Sequence, residues 1–290
     1  MTQPGTSRRI VIQAAAWMML TVVSFVVMAV AIRSLAPTIS AVEMVAFRSI
    51  VGLVIISAII LATGRGHFKT TRPALHLGRN LVHFSAMLCW TIGVASLPLA
   101  QAISLEFTQP IWLALLAALF LGEKLHLHRI IAIVCGFIGV LMIVQPGRID
   151  INPSVFVVLY AAFGYAVSMI FVKMLVRTES PLTLLFYMNL MQLPMALVPA
   201  SFNWVTPTLS QMPWVILLGV AGLGAHYGMA RALKIADASL VYPIEFLRLP
   251  VLSAVGWLLY GEQVGWMVFA GGVLMFAGNY YSLWQDQRKN

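Results

Sequence analysis

Charge is scarce in this 290-residue sequence: 9% of the residues are charged and only nine are acidic. Combined with 61% hydrophobic residues, that scarcity excludes a water-soluble fold, because so much apolar surface cannot all be internal. Catalytic signatures are missing as well. There is no Walker lysine loop, no GxSxG and no HExxH, which argues against ATP as an energy source within the chain and against an enzyme. The two cysteines, Cys89 and Cys135, each fall inside an apolar run and form neither a disulfide framework nor a metal-ligand spacing. No cofactor and no metal are expected.

What the chain does have is length of apolar run. Ten stretches, at 10–32, 41–62, 78–96, 101–121, 127–144, 153–175, 181–200, 213–231, 238–260 and 264–284, approach the ~20 residues a helix needs to cross a bilayer. These are unbroken runs rather than short alternating segments, so helices are expected and a β-barrel is not. The first run is too long for the core of a signal peptide and reads as a retained helix. A net charge of +9 invites a nucleic-acid reading, but the distribution rejects it. Fourteen Lys and Arg fall in segments of one side, among them Arg65, Lys69, Arg72 and Arg79, against Arg33 and Arg148 on the other. By the positive-inside rule the expectation is a multi-pass protein of the cytoplasmic (inner) membrane with both termini cytoplasmic.

The second five runs echo the first five at an offset of 139–140 residues. Ser40 answers Ser180, Phe47 answers Tyr187, Glu106-Phe107 answers Glu245-Phe246, and Gly122-Glu123 answers Gly261-Glu262. Four of the nine acidic residues pair at one offset, which chance does not readily supply. Loops are short, so residues 1–290 read as a single membrane domain made of two five-helix repeats, 8–146 and 150–286, joined at Gln145-Pro146-Gly147. Five is odd, so the second copy must enter the bilayer from the opposite face. The predicted fold is all-α and integral to the membrane: ten transmembrane helices as two inverted five-helix repeats, the arrangement by which many secondary transporters alternate access to a midplane site.

An ionisable group at bilayer depth costs at least ~2.5–3.5 kcal/mol, so each needs a partner or a water-lined cavity. Arg48, Glu106, Glu245 and Arg248 lie inside runs, and Glu43 lies near the end of one. Glu245 and Arg248, spaced i,i+3, share a helix face and can pair, which leaves a purely structural salt bridge as the alternative to a binding role. Glu106 has no basic neighbour in sequence, and its counterpart in the repeat is again Glu. Two such carboxylates facing a central cavity suit a cationic group on a cargo, or protonation as a coupling step. Pro110 follows Glu106, while Pro243 and Pro250 bracket Glu245 and Arg248, so kinks are expected there. Gln109, Trp90, His226, Tyr227 and Tyr242 complete the candidate substrate-binding set. His83 is a further candidate, though a lone histidine in a span is commonly a satisfied interhelical contact.

Two five-span halves, Leu121-Gly122-Glu123 closing the fourth span, Tyr260-Gly261-Glu262 closing the ninth, and Gly136-x-x-Gly139 in the fifth resemble the EamA family of the drug/metabolite transporter superfamily. The run Lys69-Thr70-Thr71-Arg72-Pro73, then His76-x-x-Arg79, Trp90 and Pro98, is similar to the branch with S-adenosylmethionine uptake carriers. Val42-Glu43 through Phe47-Arg48-Ser49 resembles bacterial riboflavin uptake carriers. Both signs of charge plus aromatics in the spans suit a zwitterionic or amphipathic cargo, and the resemblance implies a secondary or facilitative carrier of a small organic metabolite that is nucleoside-like or vitamin-like. Its partners would be that substrate, the lipid bilayer and a coupling proton or cation, the carrier being monomer or homodimer. An exporter of amino acids or amphipathic compounds is the nearest alternative, and a non-transporting membrane scaffold the alternative of another class.

Overall fold

Ser40 and Ser180, matched in the repeat, do the same local work. Each accepts a hydrogen bond from the backbone N–H three residues on and caps the start of a helix, at Ala41–Thr63 and Pro181–Ala200. Such caps satisfy donors that the helix itself leaves open. At the first of them Glu43 closes a capping box on Ser40 and also accepts from the Val205 N–H at 2.5 Å, so this buried carboxylate is a structural tie.

The computed structural model describes residues 8–121, 127–145, 152–236, 244–263 and 265–289. Every regular element among them is helical. In chain order the α-helices are α1 Arg8–Leu35, α2 Ala41–Thr63, α3 Pro73–Ser96, α4 Leu99–Glu106, α5 Gln109–Leu121, α6 Leu127–Val144, α7 Ser154–Leu175, α8 Pro181–Ala200, α9 Met212–Ile235, α10 Arg248–Tyr260 and α11 Trp266–Lys289. Short 3-10 turns at Arg65–Phe68 and Ser201–Asn203 follow α2 and α8. Seven segments among the described residues are long and apolar enough to cross a membrane, one of them running from α4 into α5.

Two expected spans are discontinuous, at matching places. Helix α4 ends at Glu106, the chain turns at Phe107 and Thr108, and α5 resumes at Gln109. Likewise residues 244–245 are helical, Phe246 and Leu247 turn, and α10 begins at Arg248. Pro110 and Pro250 therefore stand in the first turn of a new helix, where no intrahelical N–H is required, rather than in a kinked interior. Pro243 and Tyr242 lie outside the described residues. A further difference is in α3, which begins at Pro73 rather than near residue 78 and buries His76, Arg79, Asn80 and His83. Arg79 thus belongs to the interior, not to the basic loop in which its sequence context placed it.

The packing is reciprocal between the halves. Helix α1 lies along α9 and α3 along α7, while α2 faces α8 and α6 faces α11. Small residues permit these approaches: Gly139 of α6 and Gly271 of α11 each face the other's carbonyl, so a Cβ at either would meet backbone. Gly224 and Gly228 of α9 rest on Ser24 and Thr21 of α1 in the same way.

Candidate functional site

The break after Glu106 turns that carboxylate into the interior, and the break before Arg248 does the same for the guanidinium. Glu106 Oε1 accepts from both terminal nitrogens of Arg248, at 3.2 and 3.3 Å. Its Oε2 accepts from the Trp90 indole N–H of α3 at 2.7 Å. Arg248 also bonds Glu245 Oε1 at 2.9 Å, so the guanidinium bridges the two matched carboxylates. Glu106 and Arg248 are 4% and 2% exposed, whereas Glu245 keeps 17%. The guanidinium lies 4.2 Å from the Phe25 ring centroid and 5.2 Å from that of Phe107, within cation–π range of both. The turns are held together by Phe107 against Phe246, centroids 4.3 Å apart. With both carboxylates ionised, two negative charges meet one positive.

Arg48 belongs to a second polar cluster, formed by α2, α3 and α8. Its Nη2 donates to Gln192 Oε1 at 3.4 Å; Gln192 Nε2 in turn lies 2.8 Å from His83 Nδ1 and 3.4 Å from Asn80 Oδ1. Arg79 Nη1 donates to Asn80 Oδ1 at 3.0 Å. His226 approaches from α9, its ring 5.5 Å from that of His83. Between the clusters along α3 stands Tyr165 of α7, 5.4 Å from the His83 ring. Its hydroxyl donates to the Met87 sulfur at 3.3 Å.

Of the candidate set, then, Glu106, Trp90, Glu245 and Arg248 come together, and Arg48 and His226 join a neighbouring cluster. Tyr227 packs edge-on against Trp17 at 5.7 Å and makes no hydrogen bond to either cluster among the described residues. Gln109 opens α5 just past the turn and makes no hydrogen bond to the carboxylates among the described residues. Among the other tryptophans, Trp257 is 65% exposed on the outer surface of α10, while Trp112 packs on Phe137 and Phe163. Sequence reasoning missed Gln192, Asn80, Phe25 and Tyr165. A polar residue within an apolar run was the available signal for the first two; the aromatics carried none.

Where α1 and α10 end, further charges are held for structural reasons. Glu262, just past α10, accepts from the Leu99 N–H that opens α4, at 2.7 Å, and pairs with Arg33 at the end of α1. Its repeat counterpart Glu123 lies outside the described residues. The cysteines Cys89 and Cys135 are free and half-buried. Among the described residues no cluster of three His, Cys, Asp or Glu forms a metal site.

Comparison with known proteins shows the family and the fold. The family model of the EamA-like transporter family matches the chain twice, over residues 12–145 and 152–284. An S-adenosylmethionine uptake transporter of Rickettsia bellii is 25% identical over 272 residues, covering 94% of each chain. A riboflavin transporter of Vibrio cholerae is 28% identical, over 77% of this chain and 76% of its own. A pseudopaline exporter of Pseudomonas aeruginosa is 27% identical, over 87% and 89%. In a solved crystal structure the same fold recurs with a TM-score of 0.68 at 18% identity, covering 96% of this chain and 98% of the other.

Proposed function

Because this chain belongs to the EamA-like transporter family, a multi-pass membrane carrier of small molecules rather than an enzyme, we propose that it moves a zwitterionic metabolite by alternating access between two inverted five-helix repeats. The single observation behind this reading is the buried Glu106–Arg248–Glu245 bridge, set where two repeat-matched helices break. Backbone groups freed at such breaks survive at membrane depth only when buried in protein or facing a cavity. Two carboxylates against one guanidinium leave a formal charge of −1, which a cationic group on the cargo or a coupling proton neutralises. Trp90, Phe25 and Phe107 give that group aromatic walls.

Ten spans follow from adding α3, the 244–260 segment and α11 to the seven apolar segments. Length supports α3, whose polar side chains face inward, and α11. The inverted repeat is supported by the twofold family match, the paired serine caps and the reciprocal packing of α1 on α9 and α3 on α7. The charge asymmetry supports cytoplasmic termini in the inner membrane. Thr70→Cys should then resist an impermeant thiol reagent in intact cells while Thr206→Cys reacts, and labelling of Thr70→Cys would overturn the topology.

Uptake is the favoured direction, by similarity to the uptake carriers named above. The deciding experiment is uptake of radiolabelled S-adenosylmethionine and riboflavin into proteoliposomes, with and without an inward proton gradient. Saturable uptake of one label, abolished in Glu106→Gln, is expected. Uptake only when the gradient favours efflux from the cytoplasmic side would assign export instead, and uptake unaffected by Glu106→Gln would move the site elsewhere.

A further inference from the structure

Among the described residues, Arg48 and Arg79 are buried cations without a counterion. They are 2% and 6% exposed, and no carboxylate pairs with either among the described residues. Pairing of donors with acceptors in this cluster is one-sided. The acceptors are engaged: Asn80 Oδ1 by Arg79 and Gln192, Gln192 Oε1 by Arg48, and His83 Nδ1 by Gln192. What remains unsatisfied on the two arginines is all donor, namely Arg48 Nε and Nη1 and Arg79 Nε, each sealed from solvent, while both ring nitrogens of the buried His76, one turn before Arg79 on α3, are unpaired as well. Arg79 Nη2 finds only the Met188 thioether at 3.6 Å, a weak acceptor. Space has also been kept for the arrangement. Any side chain at position 222 of α9 would meet the Arg48 stem and Nη1 at 3.1–3.2 Å, so glycine there lets the guanidinium occupy the interior.

A lone buried ion is among the most costly things a fold can hold, and two like charges within mutual reach are worse. A spare set of guanidinium donors has the fork geometry that carboxylates accept. We propose that Arg48 and Arg79, with Asn80, His83 and Gln192, form an anion subsite that takes the carboxylate of the cargo. The identity of the anion as cargo, though not the anion site itself, rests on the reading of this chain as a carrier. Since the Glu106–Glu245 site, with both carboxylates ionised, carries excess negative charge and this one excess positive, with Tyr165 between them, the cargo they fit jointly is a metabolite with a cationic group at one end and a carboxylate at the other. The anion enters when the helices part and is enclosed when they close.

The test uses the purified full-length protein in detergent and small anions as probes. Thermal midpoints are measured at matched ionic strength in acetate, formate, chloride and gluconate, the last too bulky for an enclosed site. Acetate and formate should raise the midpoint saturably over gluconate, by about 3–6 °C at tenfold excess over Kd. Arg48→Met should abolish that rise and, by removing an uncompensated charge, should leave the midpoint in gluconate unchanged or higher. Glu106→Gln should keep the rise whatever it does to transport, so failure of the carboxylate-bridge reading and failure of the anion site are told apart. No difference between acetate and gluconate in the wild-type protein would overturn the proposal, and that result needs no variant to fold. An equal rise with chloride would assign the site to an inorganic counterion and overturn the cargo carboxylate. A fall in the gluconate midpoint of Arg48→Met would show that Arg48 is compensated, and would overturn it too.

Discussion

Arg248 and Arg48 are the same residue type, both 2% exposed in the same bundle, and the chain treats them in opposite ways. Arg248 sits on two carboxylates and two aromatic faces. Arg48 has one long hydrogen bond to an amide and an unfilled set of donors. The first cluster closes its own charge almost completely and is short of one positive charge; the second leaves its charge open. Buried charge in this protein is therefore not one phenomenon. Where a partner is built in, the ion holds helices α4 and α10 in register across the repeat. Where none is built in, the cost stands as an invitation to something from outside the chain.

The largest expected effect tests that contrast directly. Arg248→Met strands Glu106 and Glu245 and should cost about 3–5 kcal/mol in thermal or denaturant unfolding, whereas Arg48→Met, which strands no carboxylate, should leave stability unchanged or higher. Because Glu106 shares the guanidinium, removing Glu245 as well is not sufficient: only the triple variant Arg248→Met, Glu106→Gln, Glu245→Gln should recover stability. Equal losses for Arg248→Met and Arg48→Met would erase the distinction between the clusters.

Glu106→Gln keeps the shape and removes the charge, so transport should fall at least about tenfold while membrane expression persists, a loss of at least ~1.4 kcal/mol on the rate scale. Proteoliposome flux measures it, and wild-type flux would show the bridge to be structural only. Trp90→Phe removes a charge-assisted donor to Glu106 while keeping an aromatic ring. It should lower stability by about 1.5–3 kcal/mol, with a shift in the thermal midpoint as readout. The smallest change is Gly222→Ala, which presses on the Arg48 stem. At about 1–3 kcal/mol for overpacking it should destabilise less in the Arg48→Met background, and additivity of the two substitutions would deny their contact.

How much of this was legible varies from residue to residue. The matched Glu106 and Glu245 stood out because acidic residues are rare in the chain, and the structure puts both on Arg248. The i,i+3 spacing exposed Glu245–Arg248, but no local rule links Glu106 to a residue 142 positions away. Arg79 was hidden by its sequence context, since a basic residue next to a Lys/Arg-rich loop looks like a loop charge until α3 is seen to begin a turn and a half early. Phe25 carried no signal at all: one phenylalanine in an apolar run differs from its neighbours only by what faces it. Tyr227, chosen with His226 for its chemistry, faces Trp17 instead, because adjacent helical residues point about 100° apart.

By itself the sequence determined the apolar runs, the helical class, the duplication at 139–140 residues and the scarcity of buried charge, because run length, hydropathy and repeat offset are properties of the chain read in order. Tertiary structure alone decided which charges are neutralised. Pairing across a bundle depends on where helices break and which faces meet, and those are set by the packing of segments more than a hundred residues apart, so that Glu106 has its arginine and Arg48, among the described residues, has no carboxylate.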